Sequence, residues 1–232
     1  DPSYPIHHYA PLIAGANVLK IECLSIDGFM NNLKKSLKNE KVKVVLISFP
    51  HNPTTLTVNQ EFYDELVELA KIYNFLLIND FAYSDIYFNE VKPPSLLKSD
   101  PELEHCVELY SLTKGYSMAG WRVGFAIGNE NAITSLTKLK SYIDYGTFQP
   151  IQIASTVAIN DLDDYPKEVS SIYSERRLLA TEYLTKYGFE VQESTATMFV
   201  WAKLPKKYNN DSMKFSIDLL SKLSLIHISE PT

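Results

Sequence analysis

The sequence predicts an α/β fold: a mixed, mostly parallel sheet followed by the start of a small α+β unit. Two observations carry that prediction. Short, nearly continuous apolar runs alternate with segments of helical periodicity up to Gly128, the pattern of strands buried on both faces and joined by crossovers. Three of the runs, ending at Phe49, Ile78 and Tyr110, stop in polar residues: Asn52, then Asp80, then Ser111 and Lys114. In open α/β sheets the carboxyl ends of the strands form the edge where ligands bind.

Taken in order, residues 1–5 are extended or turn-like, because each proline restricts the residue before it. Residues 18–23 read as a short strand. Residues 27–39 place Phe29, Leu33 and Leu37 at helical spacing. Residues 42–49 form a buried strand that runs into a rigid turn, Pro50-His51-Asn52-Pro53-Thr54-Thr55. Residues 57–60 have the form of a capping box, opening a helix with Phe62, Leu66, Leu69, Ala70 and Tyr73 on one face. Residues 75–78 form the next strand, reaching Asn79 and Asp80. Beyond the 107–129 stretch, residues 132–142 and 149–159 read as helices. Residues 165–187 read as a long amphipathic helix that Gly188 is placed to end. Residues 189–192 and 198–204 read as strands of a separate antiparallel layer. The division follows: residues 1–164 carry the large sheet, and residues 165–222 begin a smaller domain.

Composition excludes several function classes. Hydrophobic residues make up 45% and charged residues 22%, as in ordinary globular proteins, and the net charge of −6 without a basic block disfavours nucleic acid as a partner. Cys23 and Cys106 supply neither a disulfide framework nor metal-ligand spacing, so buried thiols in a reducing, cytoplasmic compartment are expected and no metal is. No apolar run reaches the length of a membrane span.

The organising stretch is residues 107–129. A β-type run ends at Tyr110, turns polar at Ser111 and Lys114, and resumes as an apolar run over residues 123–127. Gly115, Gly120, Gly124, Gly128 and Ala119 permit close backbone approach. Arginine occurs three times against nineteen lysines, and Arg176 and Arg177 sit together in a charged helical segment. Arg122, alone between Trp121 and Val123, is therefore an anion-site candidate. Taken singly, each strand tip has a bland reading: Lys114 a solvated charge, Asp80 a cap for a helix over residues 81–87, Asn52 a turn former. All three tips together, in the order Asn…Asp-x-x-Tyr…Ser-x-x-Lys…Arg, favour chemistry.

Ser-Leu-Thr-Lys-Gly-Tyr-Ser-Met-Ala-Gly-Trp-Arg-Val-Gly, residues 111–124, closely resembles the cofactor-lysine motif of the class I/II aminotransferases, the fold-type-I pyridoxal phosphate enzymes. The resemblance implies their large domain, with helices on both faces of the sheet, and pyridoxal 5'-phosphate as cofactor. It makes Lys114 the lysine that holds the cofactor as a Schiff base and then moves the substrate proton. Ser111 and Arg122 fall on the cofactor phosphate, Asp80 on the ring nitrogen, and Asn52 and Tyr83 on the phenolic oxygen. Tyr4, in Asp-Pro-Ser-Tyr-Pro, matches the aromatic residue that stacks on the ring; a core tyrosine is the alternative. His7 and His8 read as structural or surface residues and receive no role. The family turn Asn-Pro-Thr-Gly departs here, with Thr55 in place of glycine.

Residues 140–148 and 196–205 look like the bacterial alanine (glutamate–pyruvate) aminotransferases, with LL-diaminopimelate aminotransferases as close neighbours. The expected reaction is alanine with 2-oxoglutarate, in a homodimer. The alternatives are diaminopimelate, aspartate or methionine as donor, a carbon–sulfur lyase on the same fold, and an aminotransferase-like effector domain of a transcriptional regulator. By the same resemblance, a phosphate-binding helix start and a tyrosine reaching across the dimer precede Asp1. The arginine for the substrate carboxylate follows Thr232, so these 232 residues alone are expected to be inactive. Residues 223–232 are similar to the translation of a transposase-end adapter used in sequencing libraries, and are expected to be a non-native tail.

Overall fold

The computed structural model describes residues 1–208 and 211–223; residues 224–232, the greater part of the expected non-native tail, lie outside the described residues. Helices α1 (Pro5–Ile13) and α2 (Ile26–Asn39) precede strand β1 (Val44–Ile47). Helix α3 (Gln60–Tyr73) leads to β2 (Leu76–Asp80), and a longer connection leads to β3 (Cys106–Ser111). A single helical turn, α4 (Leu112–Gly115), and the return strand β4 (Gly124–Gly128) complete the sheet. Helices α5 (Glu130–Ile143), α6 (Gln149–Asp161) and α7 (Tyr165–Lys186) follow. A two-stranded sheet of β5 (Glu190–Val191) and β6 (Ala202–Lys203), and helix α8 (Ser212–Leu223), end the described chain.

The main sheet has the order β1-β2-β3-β4. β1, β2 and β3 are parallel, with Ile47 opposite Asn79 and Asp80 opposite Leu109, whereas β4 returns antiparallel with Gly124 opposite Ser111. The mostly parallel sheet expected from the apolar runs is thus present. Its core lies against α2 and α3: Phe29, Leu33 and Leu37 from one helix and Phe62, Leu66 and Ala70 from the other meet Val45, Ile47 and Leu77 of the strands. Each of the larger of these side chains contributes roughly 1.5–3 kcal/mol by leaving water.

A buried polar network fixes the strand ends beneath this packing. Asn79, fully buried, donates to Tyr63 Oη and to Glu108 Oε2, each at 3.2 Å, while its Oδ1 accepts the Phe49 N–H. Glu108 also accepts from Ser95 Oγ at 2.7 Å and from the Leu96 N–H at 2.8 Å. One amide therefore ties the end of β1 to β2, β3 and α3, and its satisfied bonds offset the cost of burying it.

Four sequence expectations need correction. Residues 18–23 form no strand: the Cys23 N–H donates to the Asp1 carbonyl at 3.0 Å, a local closure outside the sheet. The cap of α3 is Asn59, whose side chain accepts the Phe62 N–H; Thr57 hydrogen-bonds Thr195 instead, and Gln60 reaches Ser99. Helix α7 buries Val169 against Ile86 and Phe88 and lays Arg177 over the Phe88 ring, but leaves Leu178, Leu179 and Tyr183 exposed in this chain. The later strands shrink to two residues each, Glu190 opposite Lys203. Gly188, at φ +86°, does end the region of α7 as expected, with the Phe189 N–H returning to the Leu184 carbonyl. Both cysteines are free and buried, and burial pushes the Cys23 thiol up to about 11.

Candidate active site

Parallel pairing puts the carboxyl ends of β1, β2 and β3 on one edge. The antiparallel return brings Arg122, two residues before β4, back to that edge beside Ser111. Asp80 is the last residue of β2. Its Oδ1 accepts the Ala82 N–H at 3.2 Å, and its Oδ2 lies 2.8 Å from His7 Nε2. Residues 82–85 form turns rather than a helix, so Asp80 shapes a turn and caps no helix.

His7 is the residue that sequence reasoning missed. Its side chain is 9% exposed and bonded to the carboxylate, not a free surface group. It lies three residues after Tyr4, which precedes the Pro5 start of α1, and the Tyr4 ring meets it edge-on at 5.6 Å. The signal available in the sequence was that spacing, since residues three apart around a helix start share a face.

Tyr83 is buried, with its ring edge against Phe199 at 5.3 Å. Burial, followed by the negative charge of Asp80 and by Tyr4 and Tyr173, pushes its phenol up to about 12, with the Asn52 side chain pulling the other way. Tyr83 therefore remains a hydrogen-bond donor at neutral pH. Lys114 Nζ lies 5.7 Å from the centre of the same ring and makes no ion pair or hydrogen bond among the described residues. Tyr4, Asn52, Asp80, Tyr83 and Lys114 are thus linked through direct contacts and through the shift of one phenol.

Ser111 and Arg122 flank the lysine turn. The Ser111 hydroxyl caps α4 by accepting the Thr113 N–H, and it reaches the Val123 carbonyl at 3.3 Å. Arg122 sits in the left-handed region, φ 55° and ψ 46°, a conformation costing a non-glycine residue about 1–2 kcal/mol. Nη1 donates to the Ala119 carbonyl at 3.1 Å, and the exposed guanidinium keeps further donors for an anion. Thr55 is likewise left-handed, φ 64°, where the expected glycine would carry no strain; it is 2% exposed and its hydroxyl finds no partner among the described residues.

His51, in the same turn, is buried and 2.6 Å from Thr54 Oγ1. Burial first, then the positive charges of the chain amino terminus and His7, lower it to about 4. The unfolded chain, with an ordinary imidazole near 6.5, then binds its proton first as the pH falls. Stability contributed by a neutral His51 is present above about 6.5 and is lost progressively down to about 4. Urea unfolding at pH 7 and pH 5 should differ by on the order of 2 kcal/mol, and His51→Asn should remove most of that difference. An unchanged pH dependence in the variant would refute the assignment.

A carboxylate oriented by an imidazole, a primary amine free of ion pairs, a phenol held protonated, and a guanidinium beside a hydroxyl match an aromatic nitrogen base carrying an aldehyde and a phosphate. Comparison with known proteins decides the family: the family model for aminotransferase class I and II matches residues 1–232. The chain belongs to that family.

A putative aminotransferase, AatC, of Rhizobium meliloti (strain 1021) is 40% identical over 225 residues, which are 96% of this chain and 56% of that protein. The glutamate-pyruvate aminotransferase AlaC of Escherichia coli (strain K12) is 37% identical, over 96% of this chain and 55% of AlaC. An LL-diaminopimelate aminotransferase of Natranaerobius thermophilus is also 37% identical, over 97% of this chain and 58% of that enzyme. Among solved structures, apo-BacF from Bacillus subtilis superposes with a TM-score of 0.86 at 30% identity, covering 95% of this chain and 56% of BacF. The chain spans a little over half the length of these relatives. Among the described residues, no helix is long and apolar enough to cross a membrane, and no group of ligating side chains is arranged to hold a metal ion.

Proposed function

We propose that this aminotransferase transfers an amino group from alanine to 2-oxoglutarate. The carrying observation is the pairing of Asp80 and Lys114 at neighbouring strand tips, with Tyr83 between them and Arg122 beside the second. Asp80, held by His7, is assigned to the ring nitrogen of pyridoxal 5'-phosphate, where a carboxylate keeps that nitrogen protonated. Asn52 and Tyr83 would donate to the phenolic oxygen, Tyr4 would stack on the ring, and Ser111 and Arg122 would hold the phosphate. When bound, the cofactor supplies an electron sink for the pair left at the substrate α-carbon. Lys114 would do the chain's own proton work: its amine would take the proton from the substrate α-carbon and return it to the cofactor's aldehyde-derived carbon, on the far side of the nitrogen.

Alanine as donor is supported by the likeness of residues 140–148 and 196–205 to alanine aminotransferases and by the similarity to AlaC. Equal similarity to an LL-diaminopimelate aminotransferase favours a second reading, with that diamino acid as donor. Assay of the complete gene product against a panel of donors separates them. A higher kcat/KM with alanine than with LL-diaminopimelate, aspartate or methionine is expected, and the reverse order overturns the choice. A cytoplasmic homodimer and a division into two domains near Tyr165 belong to the same proposal, and sedimentation of the complete protein tests the dimer.

A further inference from the structure

Asp85 is a second carboxylate beside the lysine turn, and none of the roles above uses it. It lies two residues beyond Tyr83, in the turn that follows β2. Its Oδ2 accepts the Tyr110 phenolic proton at 2.7 Å. Its side chain also presses on Gly115, the residue after Lys114: a Cβ added there would lie 2.7 Å from both Cβ and Oδ2 of Asp85. Tyr110 is in turn stacked on Phe125 of β4, with centroids 6.2 Å apart and planes at 28°. One carboxylate therefore touches the chain just before Ser111 and just after Lys114, at both ends of α4.

The charge pattern separates this contact from the amine itself. Burial raises the Asp85 carboxyl, while the Tyr110 hydrogen bond and the positive charge of Lys92 lower it; Lys114 is not among the groups acting on it. Burial and the neighbouring Asp85 push the Tyr110 phenol far above its usual range, so it stays a donor. The Lys114 amine faces elsewhere, over the Tyr83 ring.

We propose that Asp85 is a positioning residue for Lys114, clamping Tyr110 and Gly115 so that the short turn projects the amine in one direction. The proposal rests on Lys114 being the lysine that binds the cofactor. A shape-based clamp requires an acceptor oxygen and a flat side chain at position 85, but not a negative charge.

The test is the rate at which the complete apoprotein takes pyridoxal phosphate onto lysine, trapped at intervals with borohydride and read by peptide mapping. Thermal unfolding of each apo variant is measured alongside. Asp85→Ala and Gly115→Ala should both slow labelling of Lys114, by roughly 100-fold if the amine moves by about 1 Å. Tyr110→Phe, nearly isosteric, should slow it in the same direction while the protein unfolds at close to the parent temperature. Asp85→Asn keeps an oxygen for Tyr110 and should label close to the parent rate. Labelling of Asp85→Ala and Tyr110→Phe at the parent rate would overturn the proposal, as would equal losses in Asp85→Ala and Asp85→Asn. A parent protein labelled at another lysine would instead remove the underlying reading of Lys114.

Discussion

Lys114→Ala is expected to abolish transamination, lowering kcat by at least about 10⁴-fold, because it removes both the covalent anchor and the proton carrier. Borohydride reduction of the complete holoenzyme should leave the pyridoxyl label on Lys114. The informative competitors are Lys138 and Lys140 on α5, which are exposed; Lys140 is paired with Asp144 at 2.5 Å. A label on either of them, or substantial turnover by Lys114→Ala, would end the assignment. Lys114 makes no ion pair or hydrogen bond among the described residues, and its amine lies over the Tyr83 ring.

Asp80→Asn should lower kcat by about 100-fold or more, with a much smaller change in KM, since the carboxylate matters most as charge develops in the transition state. The structure refines the comparison against which this loss is judged. Asp85 appears from sequence to be a remote aspartate, but it packs on the lysine turn and accepts from Tyr110. Asp85→Asn, which preserves that acceptor, should remain mild. Equal and mild effects at positions 80 and 85 would contradict the role of Asp80.

The sequence made the strand tips legible for a physical reason. Buried parallel strands must be apolar, so the first polar residue after each run marks where the chain leaves the sheet. Asn52, Asp80, Ser111 and Lys114 could be read that way, and parallel pairing brings their strand ends to one edge. Contacts between distant segments were not legible. His7 meets Asp80 across 73 residues, and nothing in its neighbourhood required a carboxylate partner. Helix α1 was not legible because it is short and contains prolines at positions 5 and 11. The capping box expected over residues 57–60 does not form: Gln60 turns its side chain to Ser99, and Asn59 accepts the Phe62 N–H instead. Asp85 and Tyr110 looked unrelated until the turn after β2 was seen to lie against α4.

The antiparallel return of β4 sets the order in which this site can come together. Ser111, Lys114 and Arg122 lie within one twelve-residue segment, closed on itself by the pairing of Ser111 with Gly124. Closing so short a loop costs little chain entropy, whereas Asp80 joins only after β2 has found β3 across a long parallel connection. The phosphate-and-lysine half can therefore form as a local hairpin before the ring-nitrogen half arrives. Added length would be felt unevenly as a consequence: residues inserted between Gly115 and Arg122 would move the two grips apart directly, while the exposed stretch around Glu90 and Val91 could lengthen with the strand tips still held in register.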